Sequence, residues 1–224
     1  EAPPAIISIF LGEQLEDILD QIEAGNITGS KRETSMSIGV STLPSIKKDV
    51  TDRNRTSPFA FTGNKFEFRM VPSSDSIACA NYMLNTIVAE SLKQFADELE
   101  KADNFDEALS LLMQRTVKEH KKVIFSGNGY SEEWVKEAER RGLPNYRSMV
   151  DSVYSLIEPR SVKMFEEHGV LTEIECHARA EIQYEIYVNR LMIEARTMID
   201  MVAKQIKPAV MAYAKVVADT IASL

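Results

Sequence analysis

Residues 65–69 read Lys65-Phe66-Glu67-Phe68-Arg69. In an extended strand successive side chains point to opposite faces, so Lys65, Glu67 and Arg69 share one face and Phe66, Phe68 and Met70 share the other. The second face reads as a core face. The first carries two cations around one carboxylate. A strand carboxylate facing a cleft is a normal oxygen donor to a hard divalent cation such as Mg²⁺. A guanidinium holds a carboxylate or phosphate in a planar fork. Together these groups could hold a metal ion and an anionic substrate group side by side. Arg55 adds a third cation, in the donor-rich loop Arg53-Asn54-Arg55-Thr56-Ser57. Phosphoryl transfer needs cations placed in this way around the moving group. Spacing alone is also met by a solvated Lys-Glu-Arg face worth about 0–1 kcal/mol and by an ordinary basic turn. One carboxylate does not complete a Mg²⁺ site, and the strand offers no close second acid. Glu1, ahead of Ala2-Pro3-Pro4, could act as a gate or a base on a proline-stiffened segment, or be a plain chain end.

The elements that must position these residues follow from periodicity and punctuation. Ile6, Ile7, Ile9, Phe10 and Leu11 form an apolar run. Leu15, Ile18, Leu19 and Ile22 give a helix over 13–24, with Gly25-Asn26 as its stop. Residues 26–64 read as loop with short strands, and an irregular stretch of that length is usually functional or mobile. The strand 65–71 follows. Ser74 or Asp75 can cap a helix over 76–102, whose stripe is Ile77, Leu84, Ile87, Val88, Leu92, Phe95 and Leu99. A helix over 105–122 comes next. Gly127-Asn128-Gly129 breaks the chain, and Ser131-Glu132-Glu133 starts a further helix that ends at Arg141-Gly142-Leu143-Pro144. Two shorter helices divided by Glu158-Pro159 occupy 145–170. Thr172-x-x-Glu175 is a capping box that opens a long helix over 173–206. Pro208 interrupts it, and a last helix covers 208–223. Character changes near residue 72: loops, strands and candidate chemistry precede it, and about seven helices follow. The expected domains are therefore 1–72 and 73–224, and the expected fold class is α+β.

The chain has 224 residues, 44% of them hydrophobic and 27% charged, and a net charge of −8. That composition suits a globular chain, and the charge argues against a generic nucleic-acid binder. No run is apolar enough to span a bilayer. Cys79 and Cys176 lack CxxC spacing and read as buried thiols in a reducing compartment. The start has neither an initiator Met nor a signal-peptide pattern, and a chain that begins mid-motif is expected to be a piece of something longer. His177, with Glu173 and Glu181 at i−4 and i+4, could bind a metal but reads as a solvated helix face. Ser126-Gly127-Asn128-Gly129 is not a phosphate loop, because it lacks the lysine and the spacing.

Taken together, Glu1-Ala2-Pro3, Asn54-Arg55, Lys65-Phe66-Glu67-Phe68-Arg69 and Asn81-Tyr82 at the head of a helix resemble the C-terminal part of glutamine synthetase catalytic domains. The resemblance is to the long bacterial type III class, through the segments EAPPAIISIFLGEQL, DRNRTSPFAFTGNKFEFRMV and FSGNGYSEEWVKEAERRGLPN, and it covers essentially the whole chain. It implies ATP-dependent ligation of ammonia to L-glutamate through γ-glutamyl phosphate, with Mg²⁺ or Mn²⁺. It implies that Glu1 takes the proton from ammonium and shields the intermediate. Glu67 matches a metal ligand and Arg69 the arginine that holds glutamate. Arg55 matches an arginine that contacts phosphate and substrate, and Lys65 falls near the nucleotide. The short class carries a second arginine soon after Asn-Arg, where this chain has Pro58-Phe59-Ala60-Phe61.

The resemblance further implies a cytoplasmic homo-oligomer of stacked rings, with no nucleic-acid or membrane partner. It implies that residues 1–72 are a strand-and-loop remnant of the catalytic barrel, followed by a helical C-terminal region. The other metal ligands and much of the nucleotide site would lie upstream of Glu1, so this segment alone is expected to be inactive. The alternative is a non-enzymatic helical assembly fragment. The charged face of residues 65–69, with Glu1 and Arg55, speaks against it, since a pure interaction module has no use for them.

Overall fold

The computed structural model describes residues 6–29, 35–36, 46–47, 56–73 and 75–224. In chain order the elements are β1 (Ile9–Phe10), α1 (Glu13–Ala24), β2 (Ser35–Met36), β3 (Ile46–Lys47), β4 (Phe59–Phe61), β5 (Phe66–Phe68), α2 (Ala78–Leu99) and α3 (Phe105–His120). A 3-10 turn (Lys121–Val123), α4 (Glu132–Arg140), α5 (Met149–Tyr154), α6 (Pro159–Glu167), α7 (Glu173–Met201), a π turn (Val202–Ile206) and α8 (Lys207–Ala222) complete them. The described residues are mostly helical with a small three-stranded sheet, which agrees with the α+β expectation. The chain forms two compact units, Glu1–Arg147 and Ser148–Leu224. The change near residue 72 is one of composition and lies inside the first unit.

In the first unit β1 runs parallel to β4, and β4 pairs antiparallel with β5. The registers are Ile9 with Phe59, Phe10 with Ala60, Ala60 with Glu67 and Phe61 with Phe66. β2 and β3 form a separate antiparallel pair. β5 is shorter than the expected 65–71, although the Arg69 N–H donates to the Pro58 carbonyl at 2.9 Å and carries the pairing one residue on. Alternation holds: Phe59, Phe61, Phe66 and Phe68 share a face, with Phe59 and Phe66 stacked at 5.5 Å between centroids. The expectation that this is a core face needs correction. Phe66 is 51% exposed, whereas Ala60, on the charged face, is fully buried. The rings shield one another laterally, which leaves their outer surface in solvent.

α4 supplies the core of this unit. The Ser131 hydroxyl accepts from the Trp134 N–H at 3.2 Å and caps the helix, with Glu132 and Glu133 in the first turn complementing the helix dipole. Gly142, at φ +69, ends it, and the Leu143 N–H reaches back to the Ala138 carbonyl at 2.9 Å. Trp134 and Ala138 are fully buried and pack on Ile6, with Phe125, Val135 and Leu143 around them. Phe125 stacks on Trp134 at 4.1 Å, and the Arg141 guanidinium lies 5.3 Å from the Trp134 ring centroid. Arg141 also donates to the Ile124 carbonyl at 2.8 Å and to the Glu137 carboxylate at 2.6 Å. Hydrogen bonds from Arg140 and then Arg141 pull the Glu137 carboxyl down to about 2. α1 is tied to the neighbouring segment by Lys121 paired with Glu23 and by the Ser126 hydroxyl donating to Glu16.

The expected α2 stripe is mostly exposed, including Ile77, Ile87, Val88 and Leu92, and the buried position is Thr86, whose hydroxyl donates to the Tyr82 carbonyl. α2 starts at Ala78, later than expected. Ser76 accepts from the Ala78 N–H, in place of a cap by Asp75, and Ser74 lies outside the described residues. Cys79 is exposed, contrary to the buried-thiol reading, because it sits in the first turn of this solvent-facing helix.

In the second unit α5 and α6 pack on the first part of α7, burying Val153, Leu156, Val162, Phe165, Leu171, Cys176 and Ala180. Cys176 meets the buried-thiol expectation, and burial pushes its thiol pKa up. The capping box forms as the sequence predicts: the Glu175 N–H donates to the Thr172 hydroxyl at 3.3 Å and the Thr172 N–H to the Glu175 carboxylate at 2.8 Å. Pro208 does not break the chain into two separate helices. It has no N–H, and its ring crowds the carbonyl four residues back. The π turn absorbs this by widening, with the Lys207 N–H donating to the Val202 carbonyl, and α8 continues directly. Apolar residues from Ile182 to Ile221 on this rod remain exposed, among them Met192, Met198, Met201 and Met211. Among the described residues no helix is long and apolar enough to cross a membrane.

Thr172→Ala removes the hydroxyl half of the capping box and is expected to lower unfolding stability by about 1 kcal/mol. Urea denaturation followed by circular dichroism checks this, and unchanged stability would show that the cap is redundant.

Candidate functional site

The β4–β5 hairpin positions the chemistry. Glu67 lies opposite Ala60 in the ladder. Arg69 follows at the end of the ladder, its N–H fixed to the Pro58 carbonyl. Its guanidinium donates to one Glu67 oxygen twice, from Nε at 3.2 Å and from Nη2 at 3.0 Å. The Lys65 ammonium lies 3.5 Å from the other oxygen. Exposure falls along the triad, from 66% for the Lys65 side chain to 38% for Glu67 and 17% for Arg69. Three residues placed on one face by alternation are thus brought together. Glu1 and Arg55 lie outside the described residues.

Hydrogen bonding from Arg69 lowers the Glu67 pKa, with a smaller contribution from Lys65, and these outweigh the partial burial that raises it. A carboxylate held ionised is a competent oxygen donor to a divalent cation. The arginine occupies one carboxylate oxygen and Lys65 lies beside the other. Among the described residues no three His, Cys, Asp or Glu side chains gather as they would around a metal ion. His177, Glu173 and Glu181 are exposed on α7 and form no such group.

A cleft of about 500 Å³ opens beside α1, the 3-10 turn and α4, with Leu19, Val117 and Ile124 in its lining and Lys118 and Lys122 among its cations. It shares no residue with the charged hairpin face.

Sequence reasoning missed the backbone that supports the triad. Ser57 and Pro58 are buried, and the Ser57 hydroxyl donates to the Phe59 carbonyl at 3.2 Å. The Thr56 carbonyl accepts from the Gly129 N–H at 2.7 Å. The paired glycines of Ser126-Gly127-Asn128-Gly129 were the signal: two glycines before a helix cap mark a close backbone approach as well as a turn.

Because the folded Glu67 pKa lies below its ordinary 4.5, the pairing contributes fully above pH 4.5 and is lost as pH falls through the lowered value. A carboxyl-carbon NMR titration is expected to give a Glu67 midpoint below 4.5, returning toward it in Arg69→Gln. A midpoint at or above 4.5 in the unaltered protein would contradict the pairing.

Comparison with known proteins places this chain in a family. A sequence profile described as the glutamine synthetase C-terminal domain matches residues 108–224, more than half of the chain. The type-3 glutamine synthetase of Dictyostelium discoideum is 40% identical over 227 residues, covering 100% of this chain and 31% of that protein. A glutamine synthetase of Bacteroides fragilis (strain YCH46) is 38% identical, covering 95% of this chain and 30% of its own length. One from Butyrivibrio fibrisolvens is 38% identical, covering 96% and 31%. The chain thus spans about a third of the length of the curated relatives it matches. The chain belongs to the glutamine synthetase family and corresponds to a C-terminal segment of it.

Proposed function

We propose that this chain is the C-terminal segment of an ATP-dependent glutamate–ammonia ligase, and that its hairpin face contributes to the ligase site. The observation that carries this reading is the Arg69–Glu67 pair, at 3.0 Å on one strand face, in a chain 38–40% identical to glutamine synthetases. A stand-alone assembly fragment has no need of that pair.

In this reading Arg69 is freed from Glu67 when a substrate carboxylate enters and offers it the same two N–H donors. Glu67 would supply one oxygen to a bound Mg²⁺ or Mn²⁺. The cation, when bound, neutralises phosphate charge and aligns the transferring group. A γ-carboxylate oxygen of L-glutamate attacks the terminal phosphorus of ATP, and ADP leaves. Ammonium gives a proton to Glu1, and the resulting ammonia attacks the acyl carbon of γ-glutamyl phosphate, expelling phosphate. Arg55 contacts phosphate and substrate, and Lys65 faces the nucleotide. Holding glutamate and phosphate in register converts an encounter of two anions into an oriented transfer, which is where most of the rate gain lies.

The reading extends to the setting. The three-stranded sheet is part of the catalytic barrel, the complete protein is a homo-oligomer of stacked rings, and it works in the cytoplasm. The segment by itself is inactive, because the remaining ligands belong to the other two-thirds of the relatives' length.

In the full-length protein, Glu67→Ala is expected to lower metal-dependent glutamine formation by orders of magnitude, read as phosphate release with glutamate and ammonium present. Retained activity would remove Glu67 from the ligand set. Arg69→Ala is expected to weaken glutamate use chiefly through KM. An unchanged response to glutamate concentration would count against its role as the clamp.

A further inference from the structure

We infer that Gly129 is a positioning residue for the Arg69 clamp, acting through the buried segment Thr56-Ser57-Pro58; the inference rests on the proposed role of Arg69. The Gly129 N–H donates to the Thr56 carbonyl at 2.7 Å. Two residues on, the Pro58 carbonyl accepts from the Arg69 N–H at 2.9 Å. One short stretch of backbone therefore joins the turn before α4 to the clamp, and Phe59 and Ala60 continue it into the strand that faces Glu67.

The approach at Gly129 leaves no room for a side chain. A Cβ there would sit 2.8 Å from the Thr56 carbonyl oxygen, 3.6 Å from Pro58 Cδ and 3.9 Å from Ser8 Oγ, where ordinary contact begins near 3.4 Å. The nearest atom is backbone and cannot rotate away. Gly129 is not among the positive-φ glycines, so the demand comes from proximity and not from conformation.

The contact joins a braced turn to the segment that leads to Arg69. On one side the turn is braced. The Tyr130 N–H donates to the Asn128 side chain at 3.0 Å, the Ser131 N–H donates to the Asn128 carbonyl at 3.1 Å, and Ser131 caps the helix that carries fully buried Trp134. On the other side the buried bend at Ser57-Pro58 leads directly to the Pro58 carbonyl that holds Arg69. Ser8 backs it, fully buried, with no hydrogen-bond partner for its hydroxyl among the described residues. A methyl on Gly129 therefore displaces residues 56–58, and through the Pro58 carbonyl it moves the backbone of Arg69 relative to Glu67. Misplacing a substrate-binding group by a fraction of an ångström is costly to an oriented reaction.

The test compares variants of the full-length protein by steady-state kinetics, with folding followed by circular dichroism. Gly129→Ala is expected to raise KM for glutamate about tenfold, to change KM for ATP little, and to be non-additive with Arg69→Lys. Gly142→Ala serves as the control. It strains a φ +69 residue at the end of α4, but its Cβ would meet nothing within 4 Å, so it lowers thermal stability and leaves KM for glutamate unchanged. A folded Gly129→Ala with unaltered KM for glutamate, or the same rise in Gly142→Ala, overturns the inference. Should Gly129→Ala not fold, Pro58→Ala keeps every hydrogen-bonding atom while loosening the segment, and it must raise KM for glutamate a few-fold; an unchanged value overturns the inference. Unaltered KM in Arg69→Lys overturns the reading of Arg69 and this inference with it. A raised KM in Arg69→Lys without one in Gly129→Ala overturns the inference alone.

Discussion

Burial of Trp134 is the constraint on which the rest of the first unit depends. The indole is fully enclosed, stacked on Phe125 and approached by the Arg141 guanidinium. Its Nε1–H points to the Ile6 carbonyl at 3.5 Å, a long contact that packing by Ile6 reinforces. Losing so large a buried side chain typically costs about 3–5 kcal/mol. Around it the chain segments 6–9 and 122–125 come together, the Phe125 N–H donating to the Ile9 carbonyl at 3.0 Å. β1 is thereby fixed, and β4 and β5 are added to its edge. The hairpin is thus tied, through β1, to a residue more than sixty positions further along the chain.

That face is in a self-satisfied arrangement. Arg69 and Glu67 neutralise each other, and Lys65 screens the remaining oxygen. An arginine that is mostly buried needs a partner, since an unpaired buried charge is far costlier than a paired one. In the proposed ligase a substrate carboxylate and a divalent cation would together replace what each residue gives up. In that proposal the placement of the Arg69 backbone matters, and the Gly129 contact two hydrogen bonds away is inferred to bear on it.

The helices show a different economy. α7, the π turn and α8 run without interruption from Glu173 to Ala222, and most apolar side chains beyond the packed first turns are exposed. The aromatic face of the hairpin and the stripe of α2 are exposed as well. Isolated helices gain little from propensity alone and derive most of their stability from packing. In the described chain the packed part of α7 is the part that carries the capping box and the small buried residues Cys176 and Ala180.

Local signals determined much of this protein. The limits of α1, the caps at Ser131 and Thr172, the break at Glu158-Pro159 and the shared face of Lys65, Glu67 and Arg69 are each set by interactions within a few residues, which the order of side chains encodes directly. Motif resemblance extended that reading to the family, because the combination of short segments is specific even where each segment is not. Tertiary structure alone decided what lies over each face. Periodicity states that Phe66 and Phe68 share a side, but not whether anything covers them, and it gives α2 a stripe without giving it a partner. It also could not show that Pro208 is absorbed by a π turn, or that Gly129 is a glycine because the Thr56 carbonyl lies against it. Burial and close approach are properties of pairs of distant segments, and no single stretch of sequence contains them.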